Sequence, residues 1–136
     1  KKANFVACAG CEATGSILAL YPLIKNNLIK DSQVIIDAKL GSSAAGNKPT
    51  PGSHHPERSG CVRSYKPTGH RHTAEIIQEL KINKVHISAT AIEIVRGILV
   101  TAQVFLKNNV TENDVWKIYR QEYKNEPFIR IIKSKT

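Results

Sequence analysis

Gly97-Ile98-Leu99-Val100-Thr101-Ala102-Gln103-Val104-Phe105-Leu106-Lys107 is the most regular stretch of this chain. Side chains alternate sides along a β-strand, so Ile98, Val100, Ala102, Val104 and Leu106 share one face and Leu99, Thr101, Gln103, Phe105 and Lys107 the other. The first face is wholly apolar; the second is mixed. That pattern predicts a strand packed on a core from one side and only partly covered from the other. Working outward, residues 84–92 predict a neighbouring strand and residues 33–40, Gln-Val-Ile-Ile-Asp-Ala-Lys-Leu, another. Elsewhere the apolar spacing is helical. Ile17, Leu18, Leu20, Tyr21 and Ile24 predict a helix over Cys11–Asn26, which Pro22 should kink by removing a ladder hydrogen bond. Ile76, Ile77 and Leu80 predict a helix over Thr73–Leu80. Thr111-Glu112-Asn113-Asp114 has the capping-box pattern and opens a third helix with Val115, Trp116, Tyr119 and Tyr123 on one side. Apolar runs over residues 4–8 and 128–132 predict two further short strands. The order β-α-β-loop-α-β-β-α-β predicts an α+β fold, a mixed sheet with helices on one face. Apolar residues on both faces of the 97–107 strand, with helices over one, predict a homo-oligomer.

The chain of 136 residues fits one domain, and 41% hydrophobic with 23% charged residues excludes a disordered or low-complexity chain. No apolar run approaches the roughly 18–20 residues of a membrane helix, and residues 1–10 lack a signal-peptide layout. A soluble, cytoplasmic protein is expected, and a domain that opens on a core strand is expected to have lost chain upstream. Lys and Arg outnumber Asp and Glu by 20 to 11, a net +9 that favours anions: phosphorylated metabolites, an acidic protein or nucleic acid. With only 6% aromatic residues the chain is poor in stacking platforms, so nucleic acid is the least favoured of the three. Three cysteines, an odd number, argue against a disulfide framework and leave at least one thiol free or chemically employed. From Gly41 to Gly69 the texture turns to Gly, Ser, Pro, Asn and His. Such a long loop is uncommon unless functional or mobile. It is also the basic part of the chain, with Lys48, Arg58, Arg63 and Lys66, and Arg71 just beyond, against Glu57.

Three motifs could carry chemistry. In Cys8-Ala9-Gly10-Cys11-Glu12-Ala13-Thr14 a cysteine follows a tight turn at a helix start, where the positive end of the macrodipole and free N–H groups favour thiolate. Cys11 is the better nucleophile candidate, since Cys8 falls inside the expected strand; the plain alternative is a pair of small buried hydrophobes. Gly69-His70-Arg71-His72-Thr73-Ala74-Glu75-Ile76 puts two histidines at a loop-to-helix junction. One suits the acid/base partner of a cysteine and the arginine between them suits phosphate or carboxylate, although histidines without a role are common. Lys39-Leu40-Gly41-Ser42-Ser43-Ala44-Ala45-Gly46-Asn47-Lys48 carries small residues and hydroxyls that could form an anion nest, without the phosphate-loop pattern. A zinc centre from Cys8, Cys11, Cys61 and a histidine is disfavoured because Cys61 has no second ligand at short spacing, so no metal is expected.

Taken together these motifs resemble N-acetyl-gamma-glutamyl-phosphate reductase. The resemblance lies in Ala-Gly-Cys-x-Ala-Thr around Cys11 with Leu-Ala-Leu-Tyr-Pro-Leu after it, Asp-Ala-Lys-x-Gly-x-Ser-x-Ala-Gly at 37–46, Gly-His-Arg-His-Thr-x-Glu-Ile at 69–76, Arg96-Gly97-Ile98-Leu99, and Glu126-Pro127-Phe128. Ser53-His54-His55-Pro56-Glu57-Arg58 is similar to the subgroup whose substrate is aminoadipate or glutamate carried on an acidic amino-group carrier protein. The resemblance implies that residues 1–136 are a single catalytic and dimerisation domain, like the C-terminal domain of glyceraldehyde-3-phosphate dehydrogenase-type enzymes. It also implies that a Rossmann domain for NADPH lies outside this chain, and that the isolated domain is inactive. It implies that Cys11 forms a thioester with an acyl phosphate on the way to a semialdehyde in arginine or lysine biosynthesis. His72, with His70 as alternative, is the implied acid/base; Ser42, Ser43, Arg71 and Arg96 are candidates for phosphate and carboxylate contacts. A second expectation is a basic docking module for an acidic carrier, with Arg58 and Arg63 on the docking surface.

Overall fold

The computed structural model describes residues 3–132. Its centre is β1 (Ile29–Leu40), which pairs parallel with β3 (Lys84–Ala91) and antiparallel with β4 (Ile98–Leu106). A short β2 (Arg63–Lys66) runs antiparallel to β3 at its far edge, giving the order β2-β3-β1-β4. The register lines up like with like: Val34, Ile36 and Ala38 stand opposite Val104, Ala102 and Val100 on one side and Val85, Ile87 and Ala89 on the other. Period-two alternation thus makes one continuous apolar surface across three strands.

Helices α1 (Cys11–Lys25) and α2 (His72–Leu80) lie on that surface, bringing Ala13, Leu20, Leu23, Ile76 and Leu80 into the core. Each fully buried aliphatic side chain here, such as Leu20 or Ile36, contributes about 1.5–3 kcal/mol relative to exposure. Among the described residues no helix lies over the opposite sheet face: Leu99 is 58% and Phe105 60% exposed, beside Ile35, Thr101 and Gln103. The expected α+β layer, with helices on one face of a mixed sheet, is what the chain forms. No helix among the described residues is long and apolar enough to cross a membrane.

Helix α3 (Glu112–Tyr123) starts on the expected capping box, Thr111 with Asp114, and packs on α1. Its two tyrosines explain why α1 runs unbroken through Pro22. Proline has no N–H, so the Leu18 carbonyl loses its helical donor; Tyr123 Oη donates to that carbonyl at 2.6 Å, and Tyr119 Oη donates to the neighbouring Ala19 carbonyl. Burial pushes the Tyr123 phenol up to about 12, so it keeps the proton it donates.

The structure departs from expectation at both ends and in the loop. Residues 4–8 form no strand, and Phe5 is 93% exposed; residues 128–132 form none either, and Phe128 is 98% exposed. A short apolar run specifies a strand only where a sheet edge receives it, and neither segment pairs with the outer edge of β2 or β4. Strand β1 begins four residues early, at Ile29, through a bulge in its pairing with β4 where Asp31 and Ser32 take positive φ. The loop after β1 is built rather than slack. Gly41 N–H, Ser42 N–H and Ser43 N–H donate to the carbonyls of Gly97, Ile94 and Val95. Glu93 accepts from Ser59 Oγ at 2.8 Å and Gly60 N–H at 2.7 Å.

Candidate active site

Cys11 is the first residue of α1 and His72 the first of α2, and the two helix starts meet. Gly10 N–H donates to Glu75 Oε2 of α2 at 2.6 Å. The His72 ring lies directly against the Gly10 Cα, where a Cβ would stand 2.1 Å from His72 Nε2. Gly10 has φ −59°, which any residue adopts, so glycine is required here for space and not for conformation. The Cys11 thiol is exposed at the positive end of its helix.

Beneath it lies Glu12, only 2% exposed. Tyr65 Oη donates to its Oε1 at 3.2 Å. His70 Nε2 lies 3.3 Å and His72 Nδ1 3.1 Å from its Oε2. His72 N–H donates to His70 Nδ1 at 3.2 Å, so the His70 proton sits on Nε2, where Tyr65 Oη lies at 3.4 Å and Glu12 Oε2 at 3.3 Å. Burial holds the His70 imidazole below its ordinary range, against the opposing pull of Glu12, and keeps it neutral. The Tyr65 phenol is pushed upward, first by burial and then by the Glu12 charge.

A cavity of about 400 Å³ opens beside this cluster and is lined by Cys11, His70, His72, Arg58, Arg63 and Arg71. The nucleophile candidate at position 11, and both acid/base candidates and three arginines from residues 58–72, therefore share one space. Arg58 corrects an expectation. Read from sequence as a carrier-docking group, it is 4% exposed; its Nη2 donates to the Leu40 carbonyl at 2.7 Å, and its Nε is buried without a partner. A side chain so enclosed faces the cavity rather than a partner's surface. Arg63 remains exposed. Ser42, Ser43 and Arg96 do not line the cavity, although Ala44 and Ala45 of the same stretch do; the amides of Ser42 and Ser43 donate to the 94–95 carbonyls, and Ser42 Oγ meets His55 Nδ1 at 3.0 Å.

Cys8 is exposed, not held in a strand, and lines a separate groove of about 510 Å³ between α1 and α2. Sequence reasoning did not single out Glu12 and Tyr65. An acidic residue in a helix's first turn reads as a complement to the dipole, and only its apolar neighbour Ala13 hints that α1 turns this side inward. Donor atoms of Glu12, His70 and His72 lie within 4.8 Å of one another, a spacing open to a metal ion, and among the described residues no cysteine joins such a group. Arg58 and Arg71 on the same cavity oppose a cation there.

Comparison with known proteins places this geometry in context. A putative LysW-L-2-aminoadipate 6-phosphate reductase of Thermomicrobium roseum is 49% identical over 138 residues, covering 98% of this chain and 39% of that protein. The LysW-L-2-aminoadipate 6-phosphate reductase of Deinococcus radiodurans is 49% identical over 132 residues, 96% of this chain and 38% of that protein. A putative LysW-L-2-aminoadipate/LysW-L-glutamate phosphate reductase of Nitrosopumilus maritimus is 46% identical over 140 residues, 99% of this chain and 40% of that protein. The chain thus spans about two fifths of the length of these relatives. The family profile described as the semialdehyde dehydrogenase dimerisation domain matches residues 11–136, from the cysteine that opens α1 to the end of the chain, and the protein belongs to that family.

Proposed function

We propose that this chain is the catalytic and dimerisation domain of a cytoplasmic reductase that converts a carrier-linked aminoadipyl or glutamyl phosphate to its semialdehyde in lysine or arginine biosynthesis. The observation that carries this reading is the convergence of Cys11, His72 and three arginines on one cavity. The names of the relatives support the carrier-linked substrate over N-acetylglutamyl phosphate. In the first step the Cys11 thiolate attacks the acyl carbon, a C–S bond forms, the C–O bond to phosphate breaks, and phosphate leaves with the bonding pair. Arg58 and Arg71, which line the cavity, supply guanidinium charge and donors for the phosphate or the substrate carboxylate. Reduced nicotinamide, NADPH by resemblance, supplies the hydride when bound, and its binding is assigned to chain outside these residues. Cys11 fits delivery from there, being exposed as well as lining the cavity. His72 holds the proton exchanged with the thiol and the hemithioacetal oxygen, and His70, neutral and tied to the His72 backbone, supports it. Exposed Lys48, Arg63 and Lys66 form the basic surface for an acidic carrier, and the Ile35, Leu99 and Phe105 face of the sheet is the surface for a second copy.

Competitive alkylation tests the core of this reading. Cys8 and Cys11 are both exposed, so exposure alone predicts equal labelling. A helix start beside His72 predicts that iodoacetamide at neutral pH labels Cys11 at least about tenfold faster than Cys8. Equal slow labelling of the two would overturn the assignment of Cys11 as nucleophile.

A further inference from the structure

We propose that Glu12 is a positioning residue for the reaction: a buried shared acceptor that fixes the tautomer of His72, leaves a lone pair on His72 Nε2 beside the Cys11 turn, and faces the imidazolium with a negative charge. The inference rests on His72 being the acid/base partner of Cys11.

Three side chains crowd one carboxylate, one of them through a hydrogen bond and two as imidazoles within 3.3 Å. Tyr65 Oη donates to Oε1. His70 carries its proton on Nε2, because its Nδ1 is occupied by the His72 N–H, and Nε2 lies 3.3 Å from Oε2. His72 Nδ1 lies 3.1 Å from the same oxygen, out of line for a well-formed hydrogen bond and shut off from solvent. A bare lone pair on Nδ1 would face the oxygen's lone pairs at that distance, so the proton sits on Nδ1 and the ring's acceptor is Nε2. Nε2 is the atom that rests on Gly10, immediately before Cys11. A neutral imidazole with Nδ1–H on a buried carboxylate is the arrangement in which Nε2 works as a base and the resulting imidazolium is stabilised.

The surrounding charges are mostly of the opposite sign and do not duplicate this role. Arg58, Arg63 and Arg71 line the cavity, and Arg71 and Lys66 act on His70. On α2, Glu75 Oε1 lies 3.9 Å from His72 Nε2, but the other oxygen of that carboxylate accepts the Gly10 N–H. Of these groups Glu12 alone is a carboxylate within 3.1 Å of a ring nitrogen of His72.

The test compares the wild type with Glu12→Gln, Glu12→Met and His72→Gln. Imidazole tautomers are read from long-range ¹⁵N–¹H correlation spectra, and alkylation rates of Cys11 and Cys8 from peptide mass spectrometry. Gln keeps an acceptor oxygen for both histidines, with Tyr65 turned to accept from its NH₂, but loses the charge. It is expected to retain the Nδ1–H signature of His72 and to slow Cys11 by about threefold, part of the assistance His72 supplies. Met loses charge and acceptor together; its His72 tautomer is expected to become mixed, and Cys11 to slow by about tenfold, to the level of His72→Gln and of the unassisted Cys8. Cys8 should be unchanged throughout, which a merely structural role for Glu12 would also give, but with Cys11 unchanged as well. Folded Gln and Met variants with a wild-type Cys11 rate would overturn the proposal, and if Met does not fold the Gln variant decides alone. A wild-type Cys11 rate in His72→Gln with a shifted tautomer in Glu12→Met would instead overturn the acid/base reading on which the proposal rests.

Discussion

Gly10→Ala isolates the contact that brings the two helix starts together. The added Cβ would lie 2.1 Å from His72 Nε2 and 2.6 Å from both Cδ2 and Cε1. Carbon and nitrogen in ordinary contact stand about 3.5 Å apart, so the ring would have to retreat by more than an ångström. It has nowhere to go. Behind it Glu12 Oε2 is at 3.1 Å, and the His70 ring centroid is at 4.7 Å. Either the ring leaves the Glu12 cluster, or the start of α1 lifts and lengthens the 2.6 Å bond from Gly10 N–H to Glu75. Overpacking of this kind costs about 1–3 kcal/mol, which for a domain of this size lowers Tm by roughly 4–12 °C. Thermal unfolding of a double-mutant cycle separates this contact from a general intolerance of alanine. In a His72→Ala background the space is open, and Gly10→Ala should cost under about 1 kcal/mol, the ordinary preference for Gly over Ala at an N-cap. The coupling energy should therefore be on the order of 1–2 kcal/mol. An equal loss in both backgrounds would refute the argument.

Two more outcomes follow from the site. Arg63→Glu should raise KM for a carrier-linked substrate much more than for a free acyl phosphate, while Arg58→Gln should affect the two alike, since Arg58 is enclosed; equal effects of Arg63→Glu on both substrates would remove the docking surface. For His70, burial holds the folded-state imidazole below its ordinary value. Below the unfolded value near 6.5 the unfolded chain takes up a proton that the folded one refuses, so stability should fall as pH drops from about 7 and level off below the depressed folded value. His70→Gln should flatten that slope in denaturant melts at successive pH values, and an unchanged slope would count against the assignment.

The main elements were legible because each carries its own period. β4 alternates over nine residues, and α2 and α3 place apolar side chains three and four apart, so the core was readable from spacing. The terminal apolar runs were not, because a run of five residues states that a segment is apolar and not which edge will accept it. β2 escaped notice for the opposite reason: Arg-Ser-Tyr-Lys has no apolar face and is held by backbone pairing with residues 89–91 of β3. Within the site, Cys11, His70, His72 and Arg71 were named from motifs that reach the cavity as whole helix starts. Arg58 was misread because charge in a loop normally means surface, whereas this guanidinium is drawn inward by the carbonyl that ends β1. Glu12 passed as an ordinary first-turn acid, and its importance rests on partners at positions 65, 70 and 72 that no local pattern connects to it.

The proline inside α1 also has a consequence in time. The Leu18 carbonyl that Pro22 leaves without a donor is satisfied by a tyrosine 105 residues further along the chain. As the polypeptide is made from its N-terminus, the helix that presents Cys11 must therefore wait for α3 before its middle is fully bonded. The thiol is expected to reach its working position only in a finished domain, so that an incomplete chain on the ribosome carries a cysteine but not yet a nucleophile.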